Sequence, residues 1–359
     1  MPPDGHILRK IWPRLPEHEL STHEADYARI LDHLLATGKA LDAPSSTLGP
    51  MSMDDITDII AEIRRLRSLS RAEVVSTVRQ KFQQKSLCEV ALPKAVDLAA
   101  SLWLTANIRS DVGLLFVSSP GICWGENANL EALLQTAFQL PQRVSPGDTT
   151  TPARIQSNLT MANLVANFGF KVRWTHNICE HLSIDWVGRV ITVYEHKICL
   201  WNHLRFKEDT VLPAAILEEA IDTLNLLFPF GDAATEILLK KHCLPFYGLG
   251  YCGRQRTLNI RDYSYWRKPI EELQRVLDGP PSGLQQLALD RNRSNMLAFT
   301  TFWIAAAVAV LAVAGLVAGV LSTVYSKRQY DIALLQYQLS LAQACAAPGA
   351  ADQLPEFCH

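Results

Sequence analysis

Apolar residues recur at three- and four-residue spacing through most of the chain, which is the period of an amphipathic helix. Tyr27, Ile30, Leu31, Leu34 and Leu35 form one such stripe, with Ser21 and Glu24 placed as a capping box ahead of it. Ile56, Ile59, Ile60, Ile63 and Leu66 form a second. Asp54 and Asp55 at its start and Arg64, Arg65 and Arg67 at its end suit the helix dipole. Ser70 and Glu73 cap a third helix running through Phe82. Pro93–Ile108 is apolar nearly all round and reads as a central helix. Asn129–Phe138, Thr160–Asn167, Cys199–Leu204, Pro213–Leu227 and Tyr263–Leu277 are further helices. The period changes in one region. Phe170–Trp174 reads as a strand and His176–Leu182 as one or two helical turns. Ser183–Trp186 and Arg189–Tyr194 alternate around Val187–Gly188, a β-hairpin pattern.

One apolar stretch has no polar face. Leu297–Tyr325 contains no Asp, Glu, Lys or Arg, and its polar residues are only Thr and Ser. A bilayer core of about 30 Å needs roughly 20 helical residues, so this run spans it with room to tilt. Trp303 and Tyr325 lie near its ends, Arg291 and Arg293 precede it, and Lys327 and Arg328 follow it. Gly315 and Gly319 form a small-xxx-small pair, which suits close approach of a second helix and self-association. The expected partners are therefore the lipid bilayer, a second copy of this helix and cytosolic proteins of unstated identity.

The expected class is mainly α: a helical soluble domain with a small β-hairpin insertion, followed by one transmembrane helix. The expected segments are 1–50, an N-terminal piece with one helix; 51–141, a helical subdomain; and 142–153, a polar Pro/Thr-rich linker. After these come 154–290, an α+β subdomain with its hairpin near 183–194; 297–325, the transmembrane helix; and 326–359, a short tail.

Composition narrows the function classes. The chain of 359 residues is 48% hydrophobic and 19% charged, with a net charge of −2. Nucleic-acid binding calls for a basic excess, so no nucleic-acid partner is expected. Met1–Leu20 has no apolar core of a signal peptide. Arg275, Arg291 and Arg293 outnumber Lys327 and Arg328, which favours the large domain inside. The expectation is a single-pass protein of the endoplasmic reticulum or another endomembrane, with the large domain cytosolic and the tail lumenal. Six cysteines before the span would then be free thiols, whereas Cys345 and Cys358 in the tail can close one small disulfide loop. The sequons at Asn158 and Asn292 would be glycosylated only in the reverse topology.

Candidate chemistry is sparse. Gly248, Gly250 and Gly253 make a G-x-G-x-x-G, but no strand–turn–helix pattern surrounds it, so it reads as a turn. His176/Cys179 and His196/Cys199 are H-x-x-C pairs of zinc-ligand type, which a hairpin can bring together. The plainer reading is that these cysteines are small buried apolar residues. Trp174, Trp186 and Trp201 read as packing residues. No P-loop, H-E-x-x-H or G-x-S-x-G is present, and no catalytic residue or cofactor is assigned.

Several stretches carry a resemblance. They are Ala95–Ala106 with Leu102-Trp103-Leu104, Cys123-Trp124 with Leu130–Phe138, Leu159–Asp185, Val190–Leu200, Leu217–Pro229, Tyr265-Trp266 and the apolar span. Their order resembles a filamentous-fungal family of unassigned function with one hydrophobic segment near the C-terminus. The resemblance covers roughly 56–326 and leaves the first fifty residues unmatched. It implies a membrane-anchored, largely helical cytosolic domain and an accessory role beside a fungal metabolite pathway, and it brings no catalytic residues. The expected function is a membrane-anchored accessory or interaction protein. The alternative is a membrane-associated enzyme acting on an apolar metabolite through the His176–His203 region.

Overall fold

The computed structural model describes residues 5–41, 51–83, 91–110, 120–138, 154–279 and 296–346, together with 348 and 356. It divides into two units, residues 1–283 and 284–359. The first is mainly helical. It opens with α1 (Gly5–Ile11), α2 (Glu17–Thr22), α3 (Glu24–Leu41), α4 (Met53–Arg65), α5 (Arg71–Lys81) and α6 (Ala91–Leu104). A short parallel pair, β1 (Ile108–Arg109) and β2 (Ile122–Cys123), leads to α7 (Leu130–Ala137) and α8 (Met161–Phe168). Then come β3 (Lys171–Thr175), β4 (Ile184–Asp185), β5 (Val190–Tyr194), α9 (Lys197–Arg205), α10 (Ala214–Leu227), α11 (Ala233–Lys241) and α12 (Arg267–Asp278).

Local signals act where the sequence places them. Ser52 and Asp55 close a capping box on α4, and Ser70 and Glu73 close one on α5. The expected Ser21/Glu24 box does not form. Pro16 starts the separate turn α2, and Ser21 lies inside it, donating its hydroxyl to the His18 carbonyl. The N-terminal segment accordingly holds three helices rather than one. The 142–153 linker lies outside the described residues. The described residues on either side of it contribute to one buried apolar cluster that includes Ile59, Trp103, Leu164 and Leu224.

The expected hairpin is present as β4 antiparallel to β5, with Ile184 opposite Ile191 and Asp185 opposite Val190. Hairpin patterning leaves unstated what flanks its other edge. There β3 pairs with β5 in parallel, giving the order β3-β5-β4, with Thr175 opposite Tyr194. The loop through His181 is tied under this sheet. The Tyr194 amide donates to His181 Nδ1 at 3.2 Å, and His181 Nε2 lies 2.7 Å from Thr223 Oγ1. The backbone donor makes Nδ1 an acceptor, so His181 is the neutral Nε2–H tautomer. Thr223 in turn donates to the Ala220 carbonyl.

The G-x-G-x-x-G segment is a turn. Pro245–Leu249 is a 3-10 helix, and Gly250 and Gly253 have φ of 55° and 71°, a region open to glycine. Lys197, almost fully buried, donates to the Gly250 carbonyl at 2.6 Å and to Asn225 Oδ1 at 2.8 Å. The Gly250 carbonyl therefore receives a structural lysine, and the segment opens no phosphate-binding helix. Trp174 packs on Phe228 and Phe246, Trp201 lies under Arg205, and Trp186 on the hairpin is 46% exposed and edge-on to Phe170.

The second unit is one continuous helix, α13 (Met296–Cys345). Its 50 residues make it about 75 Å long. Helix therefore continues well beyond the expected boundary at Tyr325. Ser326–Cys345 has no Gly or Pro and is rich in Leu, Ala and Gln, which favour helix. Cys345 is disulfide-bonded, and Cys358 lies outside the described residues.

Burial lowers the pKa of His181 to about 3. Its unfolded counterpart, near 6.5, binds the proton more tightly, so stability falls as pH drops below about 6.5. Urea unfolding of the full chain at pH 7 and pH 5 should show a loss of roughly 2 kcal/mol from this residue. His181→Gln should remove that part of the pH dependence.

Candidate functional site

The parallel register of β3 and β5 explains why distant residues meet. Thr175 and Tyr194 end their strands side by side, so the next residues, His176 and Glu195-His196, emerge at the same sheet edge. The Glu195 amide donates to the Thr175 carbonyl at 3.1 Å and extends the ladder by one rung. Helix α3 covers this edge. Arg29 and His33, four residues apart on one helical face, both point into it.

The donor atoms converge tightly. His176 Nδ1 lies 2.9 Å from Glu195 Oε1 and 2.7 Å from His196 Nε2. The other carboxylate oxygen, Glu195 Oε2, accepts from Arg29 Nε at 2.6 Å and from a terminal Arg29 nitrogen at 2.5 Å. The His33 ring stacks on His176, with centroids 3.8 Å apart and planes within 19°. Glu195 and His196 are buried, whereas the His176 side chain is 44% exposed. One side of the cluster thus faces solvent.

The charges follow from this geometry. Burial opposes ionisation of Glu195, but the hydrogen bond from His176 and the nearby His196, His176 and Arg29 outweigh it and hold the carboxyl at about 2. Burial pushes His196 down to about 3 against the pull of Glu195, with His176, His33 and Arg29 adding to the fall. His33 drops to about 4, first from burial and then from His176. At neutral pH the site holds one carboxylate matched by Arg29, beside neutral His33 and His196 imidazoles. It therefore presents an exposed imidazole, His176, to solvent and can offer lone pairs to a metal ion.

The two H-x-x-C pairs are separated in space by chemistry. Their histidines, His176 and His196, meet, whereas Cys179 and Cys199 join no metal-capable group among the described residues. Cys199 is fully buried beside Tyr194, and burial raises its pKa well above the ordinary thiol value. Burial also lifts Cys179 to about 11. Both remain protonated at neutral pH. The sequence reading missed Glu195, Arg29 and His33. Glu195 stands beside His196 in the sequence, but nothing local ties Arg29 and His33 to it. Asn158 is partly exposed in the turn before α8, and Asn292 lies outside the described residues.

Removing Arg29 strands the buried Glu195 carboxylate, and breaking a buried pair costs 3–5 kcal/mol where both partners are buried. Arg29 is itself one-third exposed, so Arg29→Ala should cost about 2 kcal/mol. Chemical denaturation would check this, and Glu195→Gln in the same background should recover part of the loss. Comparison with family models, curated proteins and solved structures returns no match for this chain.

Proposed function

We propose that this is a membrane-anchored accessory or interaction protein. The observation that carries the reading is the charge-free stretch of α13. It is long and apolar enough to cross a membrane, and its side chains are exposed, Leu311 at 71% and Val310 at 69%. Water is a poor solvent for such a surface and hydrocarbon a good one. Thr323 donates back to the Gly319 carbonyl, which satisfies its hydroxyl within the helix.

The anchor confines the first unit to a membrane surface and raises its effective concentration toward partners there. The first unit lies on the cytosolic side of the endoplasmic reticulum or another endomembrane, and the tail is lumenal. Thiols at Cys123, Cys179, Cys199, Cys243 and Cys252, against a disulfide-bonded Cys345, support this sidedness. Gly315 and Gly319, beside which an added Cβ meets nothing within 4 Å, form a face for self-association. The family resemblance adds support for a fungal metabolite pathway. The second reading is an enzyme acting on an apolar metabolite. The Glu195–His176 pair favours it, because an oriented, half-exposed imidazole is a general base in form.

Leu311→Arg with Val317→Arg should release the protein from membranes, since each charge costs about 2.5–3.5 kcal/mol in a spanning helix. Resistance to alkaline carbonate extraction reads this directly. Loss of the pathway metabolite with the released but folded variant supports the anchored role, and unchanged metabolite on gene deletion removes it. If His176→Ala abolishes the product while fold and membrane location persist, the enzyme reading replaces the scaffold. Protease should digest the first unit on sealed microsomes, with Asn158 and Asn292 unglycosylated. A glycan at Asn158 would reverse the topology. Gly315→Ile with Gly319→Ile should abolish oligomers in detergent, and unchanged oligomers would remove the self-association face.

A further inference from the structure

We infer that His176 Nδ1, Glu195 Oε1 and His196 Nε2 form a zinc-binding site that opens to solvent. One donor atom from each residue lies within 4.8 Å of the other two, and His176 Nδ1 stands 2.9 Å from Glu195 Oε1 and 2.7 Å from His196 Nε2. Two imidazoles and one carboxylate are a ligand set that zinc takes with a fourth, open position. The half-exposed His176 leaves that position to water.

The distances fit after a small adjustment. Tetrahedral donors at about 2.0–2.1 Å from zinc stand about 3.3 Å apart. The observed 2.7 Å and 2.9 Å are hydrogen-bond separations, so the donors must spread by roughly half an ångström on binding. His176, at the exposed edge, is the donor placed to supply that movement. The other two donors follow the buried end of β5 and are fixed by it.

The surroundings have the form of an outer ligand shell. Arg29 holds Glu195 Oε2 and leaves Oε1 turned toward His176. His33 stacks on the His176 ring and sets its plane. Arg29 also adds a positive charge close to the metal. That charge opposes the metal's and weakens binding relative to the same three ligands alone. The inference does not rest on the membrane anchor, and its failure would leave that reading intact.

The test uses the full chain in detergent micelles, without a histidine tag. Titration calorimetry with Zn2+ should show one site per chain. Co2+ should give the visible absorption of a tetrahedral nitrogen and oxygen site, with no thiolate charge-transfer band. His176→Ala is at the exposed edge and should keep the fold, read by circular dichroism, while weakening Zn2+ binding at least tenfold. Glu195→Gln should weaken it similarly, and Cys179→Ser should leave it unchanged. Absence of Zn2+ binding by the parent chain would overturn the site. So would binding that survives His176→Ala, or a thiolate band with Co2+.

Discussion

A carboxylate taken out of water must be met by opposite charge and hydrogen bonds, and Glu195 imposes that demand on the first unit. Its side chain is only 3% exposed. One oxygen is met from the strand edge by His176 and the other from the N-terminal helix α3 by Arg29. Satisfying one buried group therefore joins parts of the chain more than 160 residues apart in sequence. The partners that meet this demand hold the carboxyl pKa down, while burial keeps the neighbouring His196 imidazole neutral against the pull of Glu195.

The joint between α3 and the start of α9 is polar along its length. Three consecutive residues, Glu195, His196 and Lys197, face His33, Arg29 and Asp26 of α3. Burial raises Asp26 to about 7, with Lys197 pulling the other way. Tyr27 bonds Asn202, and Arg205 forks onto Glu19 through two hydrogen bonds of 2.6–2.7 Å. Such a seam fixes register more strictly than apolar contact, because a shift would leave several buried groups unpaired. The first fifty residues thus supply two of the five side chains of the cluster, Arg29 and His33.

The second unit obeys a simpler rule. An isolated helix with apolar residues on all sides needs a hydrocarbon environment, and α13 has that composition from Leu297 to Tyr325. Beyond Tyr325 the helix persists because its residues favour it, not because apolar burial requires it. A helix long and apolar enough to cross a membrane and the histidine–carboxylate cluster are separate features of this chain, one a matter of composition and the other of tertiary geometry.

Short-range physics was readable without a structure. Periodicity placed α4, α6, α10 and α12, hydroxyl–carboxylate spacing placed the cap of α5, and alternation placed the β4–β5 hairpin. The absence of charge over Leu297–Tyr325 marked the span. Even the meeting of His176 with His196 was half legible, because strand patterns precede both. Tertiary structure alone decided that β3 pairs in parallel with β5, that the cysteines stay apart from the histidines, and that α3 brings Arg29 and His33 onto Glu195. Those outcomes depend on contacts closed over long loops and on the matching of buried charges. Neither leaves a local period in the sequence, so pattern reading reaches the elements and stops short of the site they build.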